Sequence, residues 1–196
     1  RKRGKIAPPI SPPGFEMNKS KQRTRFLFTA CAFLFDLTHL AWEQFNGGIQ
    51  THHFLARADM PAVSNAWGLL LIPAMAWFLF GRMQQTVTQD SASLSPWMAK
   101  SVLISFTGAL IYGAALALAF ETGHGALNAL FGGLFVLSLI LPTYRSQYLL
   151  GFVFGMLFTF GAVLPTIVAS FFASISAVWH WIIRSLWRIR TTVPAR

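Results

Sequence analysis

Between Tyr148 and Ile183, about 36 consecutive residues include no Lys, Arg, Asp or Glu. A membrane-spanning helix needs roughly 20 predominantly apolar residues, so this stretch is too long for one span and long enough for two. Pro165 sits near its middle, after Gly161-Ala162-Val163-Leu164. The stretch folds either as one long kinked helix or as two helices joined by a tight turn. Four further apolar runs precede it: Phe26 to Glu43, Ala66 to Met83, Pro96 to about Phe120, and Ala126 to about Leu141. Ser64-Asn65 is the expected N-cap of the second run. Pro96 suits the first position of the third, and Pro142 stops the fourth.

The composition demands lipid as the solvent for most of the chain. Hydrophobic residues make up 54% and charged residues 11% of the 196, against roughly 25% charged in a soluble domain. The single cysteine, Cys31, lies inside the first apolar run and can form no intrachain disulfide. The residues after it are apolar, so the first run reads as an uncleaved anchor and not as a cleaved signal or lipoprotein leader. Met17 could serve as an alternative start within the basic N-terminal segment.

A formal net charge of +10 raises nucleic acid as a partner. The distribution argues for no nucleic acid. Arg1, Lys2, Arg3, Lys5, Lys19, Lys21, Arg23 and Arg25 precede the first run, and Arg184, Arg188, Arg190 and Arg196 follow the last. Basic residues that flank apolar spans set topology and contact anionic lipids. With a cytoplasmic N-terminus and six spans, only Arg57 of the sixteen basic residues falls outside. Five spans would strand the four tail arginines on the wrong side. The expected fold is therefore all-α: a polytopic integral membrane helix bundle of six transmembrane helices, five being the alternative. The N- and C-termini are both cytoplasmic, in the inner membrane if the source is bacterial. The expected spans are about 26–43, 66–83, 97–120, 126–141, 148–163 and 166–183. Residues 1–25 form a basic, Pro-containing flexible segment, and 184–196 a basic tail. The competing reading makes 173–190 an interfacial amphipathic helix.

Small residues recur at helical spacing: Gly151 and Gly155, Ala109 and Gly113, and Ala169, Ala173 and Ala177. Such stripes let helix backbones approach closely in lipid, within the bundle or against a second copy or a larger membrane complex. Trp42, Trp67, Trp97, Tyr144, Tyr148, Trp179 and Trp181 fall near the span ends, as an aromatic belt requires.

The rare polar residues gather on the outer side. Asp36, His39 and Glu43 are three and four apart and share one face of the first helix. At 1.5 Å per residue, Asp36 lies roughly 15 Å in from Phe26, near the midplane. An ionised Asp there costs on the order of 2.5–3.5 kcal/mol, so it must be protonated, paired with His39 or facing a wet cavity. His52, His53 and Asp59 lie in the long loop 44–65, and Glu121 and His124 in the next outer loop. Three chemistries fit. His39, Glu43, His52, His53 and His124 supply donors for a divalent metal such as zinc, iron or manganese. His39 and His124 could ligate a b-type haem. Asp36, His39 and Glu43, with Glu121, could handle protons, catalytically or in transport. Asp36 and His39 could also be no more than a hydrogen-bonded pair that pins the first helix to its neighbours.

The run Phe35-Asp36-Leu37-Thr38-His39-Leu40-Ala41-Trp42-Glu43 resembles the His-x-x-x-Glu helix of the emopamil-binding sterol isomerases, and Ile111-Tyr112-Gly113 followed by Glu121 is similar to a later segment of that family. The resemblance implies proton transfer on a lipid-embedded substrate. It departs from the family in the second span, which has no acidic residue, and in one additional helix. The functional expectation is a multi-pass membrane protein with an outward-facing His/carboxylate site that binds a metal or handles protons, as an enzyme on an apolar substrate, a proton-coupled transporter or an accessory subunit.

Overall fold

The computed structural model describes residues 13–53, 59, 62–89, 96–123 and 125–191, with side chains described over 19–51, 59, 62–87, 99–123 and 125–188. Among these residues there are six α-helices: α1 (Pro13–Phe45), α2 (Gly68–Gln89), α3 (Pro96–Glu121), α4 (Ala126–Ile140), α5 (Ser146–Phe160) and α6 (Val163–Thr191). Two three-residue strands, β1 (Thr51–His53) and β2 (Ala62–Ser64), pair antiparallel in the α1–α2 connection. A single 3-10 turn, Asn65–Trp67, leads into α2.

Four helical segments are long and apolar enough to cross a membrane: Lys19–Phe45, Asn65–Val87, Ala99–Glu121 and Val163–Arg188. α4 and α5 are apolar but have 15 residues each. At 1.5 Å per residue each is about 22 Å long, shorter than a hydrocarbon core of roughly 30 Å.

The breaks follow local chemistry. The long apolar stretch is two helices, divided at Gly161 and Ala162. Gly161 has φ 63°, a conformation that favours glycine. Pro165 does not make the break. It lies in the first turn of α6, where its missing N–H has no intrahelical partner to lose. Pro96 opens α3, and Leu141 is extended before Pro142, as the residue before a proline prefers. Ser64 caps the 3-10 turn, its hydroxyl accepting from the Ala66 N–H at 3.2 Å.

Both chain ends differ from expectation. α1 begins at Pro13, well before the apolar run. Proline suits a first helical position, and the Lys, Gln and Arg that follow are good helix formers. The segment is also docked: Gln84 donates to the Lys21 carbonyl at 3.1 Å, and Arg25 Nε donates to the Trp77 carbonyl at 2.7 Å. α6 continues without interruption to Thr191, so 173–190 is no separate interfacial helix and the basic tail is partly helical.

Contacts between residues set the helix directions. Arg25 meets Trp77 and Asp36 meets Gly68, so α1 and α2 are antiparallel. Ser105 meets Tyr148, Gly113 meets Phe152, and Phe120 meets Phe160, so α3 and α5 are parallel. The α4–α5 turn reaches Ser176 of α6, which places that turn opposite Gly161. The helices thus alternate. Glu43, Asn65, Glu121 and Gly161 lie at one end of the bundle. Lys21, Arg82, Lys100, Arg145 and Arg184 lie toward the other, hereafter the basic end.

α5 is the central helix. Leu150, Phe152, Val153, Met156 and Leu157 are all buried, and a helix apolar all round belongs inside a bundle. Its glycines set the approach to α3. A Cβ at Gly151 would meet the Phe106 carbonyl, and one at Gly155 the Leu110 carbonyl. Across the seam, a Cβ at Gly113 would lie 2.5 Å from the Phe152 carbonyl. The stripe on α6 is offset from expectation: Ala169 and Ala173 are buried, but the next buried position is Ser176 and not Ala177. Ser176 Oγ donates to the Leu141 carbonyl at 2.9 Å and accepts from the Thr143 N–H at 3.1 Å. The periphery is the reverse of a soluble domain, with Phe78, Leu103, Ile104, Ile111 and Phe171 exposed. Trp42 and Trp67 are exposed at one end, and Trp179, Trp181 and Trp187 toward the other.

Candidate functional site

Spacing on α1 puts Asp36, His39 and Glu43 on one face, and that face turns inward: they are 1%, 7% and 8% exposed. Neighbours on both sides, Phe35, Leu37 and Trp42, are exposed apolar residues. The polar stripe is therefore packed against the bundle while the apolar side of α1 faces outward.

Asp36 meets the start of α2. A Cβ added to Gly68 would lie 2.7 Å from Asp36 Oδ2, so only glycine leaves room for the carboxylate. Asp36 Oδ2 is buried without a hydrogen-bond partner among the described residues. One helical turn on, His39 Nε2 lies 3.6 Å from Glu43 Oε1, and His39 Nδ1 is buried without a partner among those residues. The ring of Phe158 on α5 covers the imidazole, with centroids 4.9 Å apart.

Glu43 is the best-satisfied member. Asn65 Nδ2 donates to its Oε1 at 2.6 Å, and the Gln50 N–H donates to its Oε2 at 3.2 Å. The Asn65 N–H donates in turn to the Gln50 carbonyl at 3.0 Å. The Asn65 side chain also packs against Gly161, where any Cβ would overlap its amide oxygen. Asn65 thus joins the end of α1, the loop before β1, the start of α2 and the α5–α6 turn. In the sequence it reads only as part of a cap. The signal for more was weak: an uncharged polar residue beside an apolar run.

The structure brings Asp36, His39 and Glu43 together on α1 and leaves Glu121 apart. Glu121 is exposed at the end of α3 and accepts from Thr159 Oγ1 at 2.8 Å. Thr159 follows Phe158, so the two acidic sites touch successive residues of α5 on faces about 100° apart. His52 and His53 belong to β1, paired with Val63 and Ala62, but their side chains lie outside the described residues. His124 lies outside them altogether, so a haem bridge between His39 and His124 is not described. His180 stands at the basic end, its Nδ1 2.8 Å from the Ser176 carbonyl and its ring against Tyr144.

Among the described residues, no group of three or more His, Cys, Asp and Glu is disposed to hold a metal ion. His39 and Glu43 offer two donors, and Glu43 already accepts on both oxygens. A metal centre normally takes at least three protein ligands. The described residues alone fall short of that.

A cavity of about 350 Å³ lies elsewhere, between α3, α4, α5 and α6. None of Asp36, His39, Glu43 and Glu121 lines it.

The fold is thus all-helical, with four helices long and apolar enough to cross a membrane, the construction expected of a membrane protein. No protein-family model matches the chain, and no curated protein or solved structure matches it. The likeness to the emopamil-binding isomerases stays confined to its two short segments.

Proposed function

We propose that this chain is an integral membrane protein of six spans, with both termini on the cytoplasmic side, whose inward face of α1 handles protons. In a bacterium the inner membrane would hold it. The alternating helix directions and the gathering of basic residues toward one end support the topology, since positive charge accumulates on the cytoplasmic side. α4 and α5 are accommodated by their neighbours: α5 is enclosed by protein and need not match the bilayer, and a short α4 can draw the bilayer in.

The observation that carries the proton reading is a buried column, Asp36, His39 and Glu43, in which Asp36 Oδ2 and His39 Nδ1 have no described partner. A buried polar atom without a hydrogen bond costs roughly 1–3 kcal/mol. Imidazole and carboxylate beside each other can share and pass a proton. Glu43, held by Asn65 and Gln50, is the fixed outer end of the column. Two turns toward the basic end, Thr29 of α1 also has its Oγ1 buried without a described partner. No further carboxylate or imidazole follows on α1 among the residues with described side chains, and the column reads as a site more than as a through-going path.

Infrared difference spectroscopy of the reconstituted protein tests this. A protonated-carboxyl band that titrates with pH, disappears in Asp36→Asn and titrates differently in His39→Gln is expected. A spectrum and titration unchanged in Asp36→Asn would sink the reading.

A metal is the second reading, favoured by the Gln50 contact, which seats the residue before β1, the strand that carries His52 and His53, against Glu43. Elemental analysis of protein purified without chelators decides it. Near-stoichiometric zinc, iron or manganese that is lost in His39→Ala/Glu43→Ala would put the metal first; none in either protein removes it.

A further inference from the structure

A tyrosine on α3 bridges to α4. Tyr112 Oη donates to the Leu130 carbonyl at 2.6 Å, and a Cβ at Gly133 would lie 2.7 Å from the Tyr112 hydroxyl oxygen. On the basic side of this bridge, α3, α4, α5 and α6 line the cavity of about 350 Å³, within the size range of ligand sites. Its walls are apolar: Ile104, Ala109, Leu134, Leu137, Phe152 and Phe172. It opens sideways beside α3, where Ile104 is 70% exposed and a Cβ on Gly108 would meet nothing within 4 Å.

The mouth at the basic end is chemically different. Ser105 Oγ donates to Tyr148 Oη at 3.2 Å there. Thr143, which also lines the cavity, has its Oγ1 buried with no described hydrogen-bond partner. Around this rim stand three basic residues. Lys100 is one helical turn before Ile104 and on the same face. Arg145 is exposed in the α4–α5 turn between Thr143 and Tyr148. Arg184 reaches the adjoining Tyr144, donating to its hydroxyl at 3.1 Å.

We infer that this cavity holds one acyl chain of an anionic phospholipid, entering sideways from the bilayer, with its headgroup on Lys100, Arg145 and Arg184 and its ester region at Thr143. An apolar slot below a polar rim and a basic collar matches the order of chain, ester and phosphate along such a lipid. The collar selects an anionic headgroup, since a basic residue near the surface favours one by about 1 kcal/mol. The site rests on the chain lying in a bilayer and is independent of the proton chemistry on α1.

The test uses the full chain in phosphatidylcholine vesicles doped with a phosphatidylglycerol that carries a photoreactive diazirine on one acyl chain. Adducts are expected on Ile104, Leu137, Phe152 and Phe172, displaced by unlabelled phosphatidylglycerol and not by added phosphatidylcholine. Gly108→Leu fills the cavity and should abolish these adducts. Gly132→Leu, equally open but outside the cavity, should leave them unchanged. If Gly108→Leu fails to fold, Lys100→Gln/Arg145→Gln changes only exposed residues and should cut the preference for phosphatidylglycerol about thirtyfold. Labelling spread evenly over outward residues such as Phe131, Phe135 and Ile140, or equal displacement by phosphatidylcholine, overturns the inference. Flotation separates the two readings: protein that does not float with the vesicles refutes the membrane assignment itself.

Discussion

Asn65 carries more of the site than its chemistry suggests. It is uncharged, yet with the Gln50 N–H it supplies the hydrogen bonds that let Glu43 sit buried, and its side chain seats the turn at Gly161. Replacing it by alanine leaves a buried carboxylate oxygen without its 2.6 Å partner. Asn65→Ala should therefore cost about 1–3 kcal/mol, read as a lowered thermal midpoint in detergent. Glu43→Gln/Asn65→Ala should lose less than the two single changes together, because the neutral amide has less need of the donor. Additive losses would mean that Asn65 acts through the turn alone. The α1 face was legible at this scale, since spacings of three and four are a property of the helix. The Asn65 contact was not. It joins positions 22 residues apart, and nothing local to either residue encodes the meeting.

At the scale of elements, the α3–α5 seam fixes how the bundle is assembled. Gly113, Gly151 and Gly155 bring backbone against backbone, an approach that any side chain prevents. Gly155→Leu should be among the most damaging single changes in the chain, exceeding the 1–3 kcal/mol usual for overpacking because the atoms in the way are backbone. Gly132→Leu, which meets open space, should be nearly neutral. Thermal unfolding in detergent compares the two, and equal midpoints would refute the close crossing. The glycine spacing showed in the sequence that some helix approached here. It did not show which helix, and the stripe on α6 illustrates the ambiguity: buried positions pass from Ala173 to Ser176 because a neighbouring turn needs a hydroxyl.

For the whole molecule, the separation of charge predicts a sidedness that can be measured. In a Cys31→Ser background, cysteine placed at residue 52 should react with an impermeant thiol reagent from outside intact cells. Cysteine at residue 145 should react only after permeabilisation. The reverse pattern inverts the topology, and reaction of both from one side overturns the six-span reading. The same ends divide the proposed chemistry, with the buried acid–imidazole column in one half and the apolar cavity in the other.

The sequence alone was enough to establish that the chain is helical, apolar and punctuated at Pro96, Pro142 and the Gly161–Pro165 segment. Apolar run length, proline sterics and glycine freedom act within a few residues and need no knowledge of the rest of the molecule. It also placed Asp36, His39 and Glu43 on one face, for the same reason. Only the tertiary structure decided that α5 is central, that Pro13–Arg25 is helical and docked on α2, and that Glu121 pairs with Thr159 apart from the α1 column. It alone revealed the cavity that Tyr112 lines beside its hydrogen bond to Leu130. These features arise from contacts between segments far apart in sequence, where packing selects among partners that local chemistry leaves equivalent.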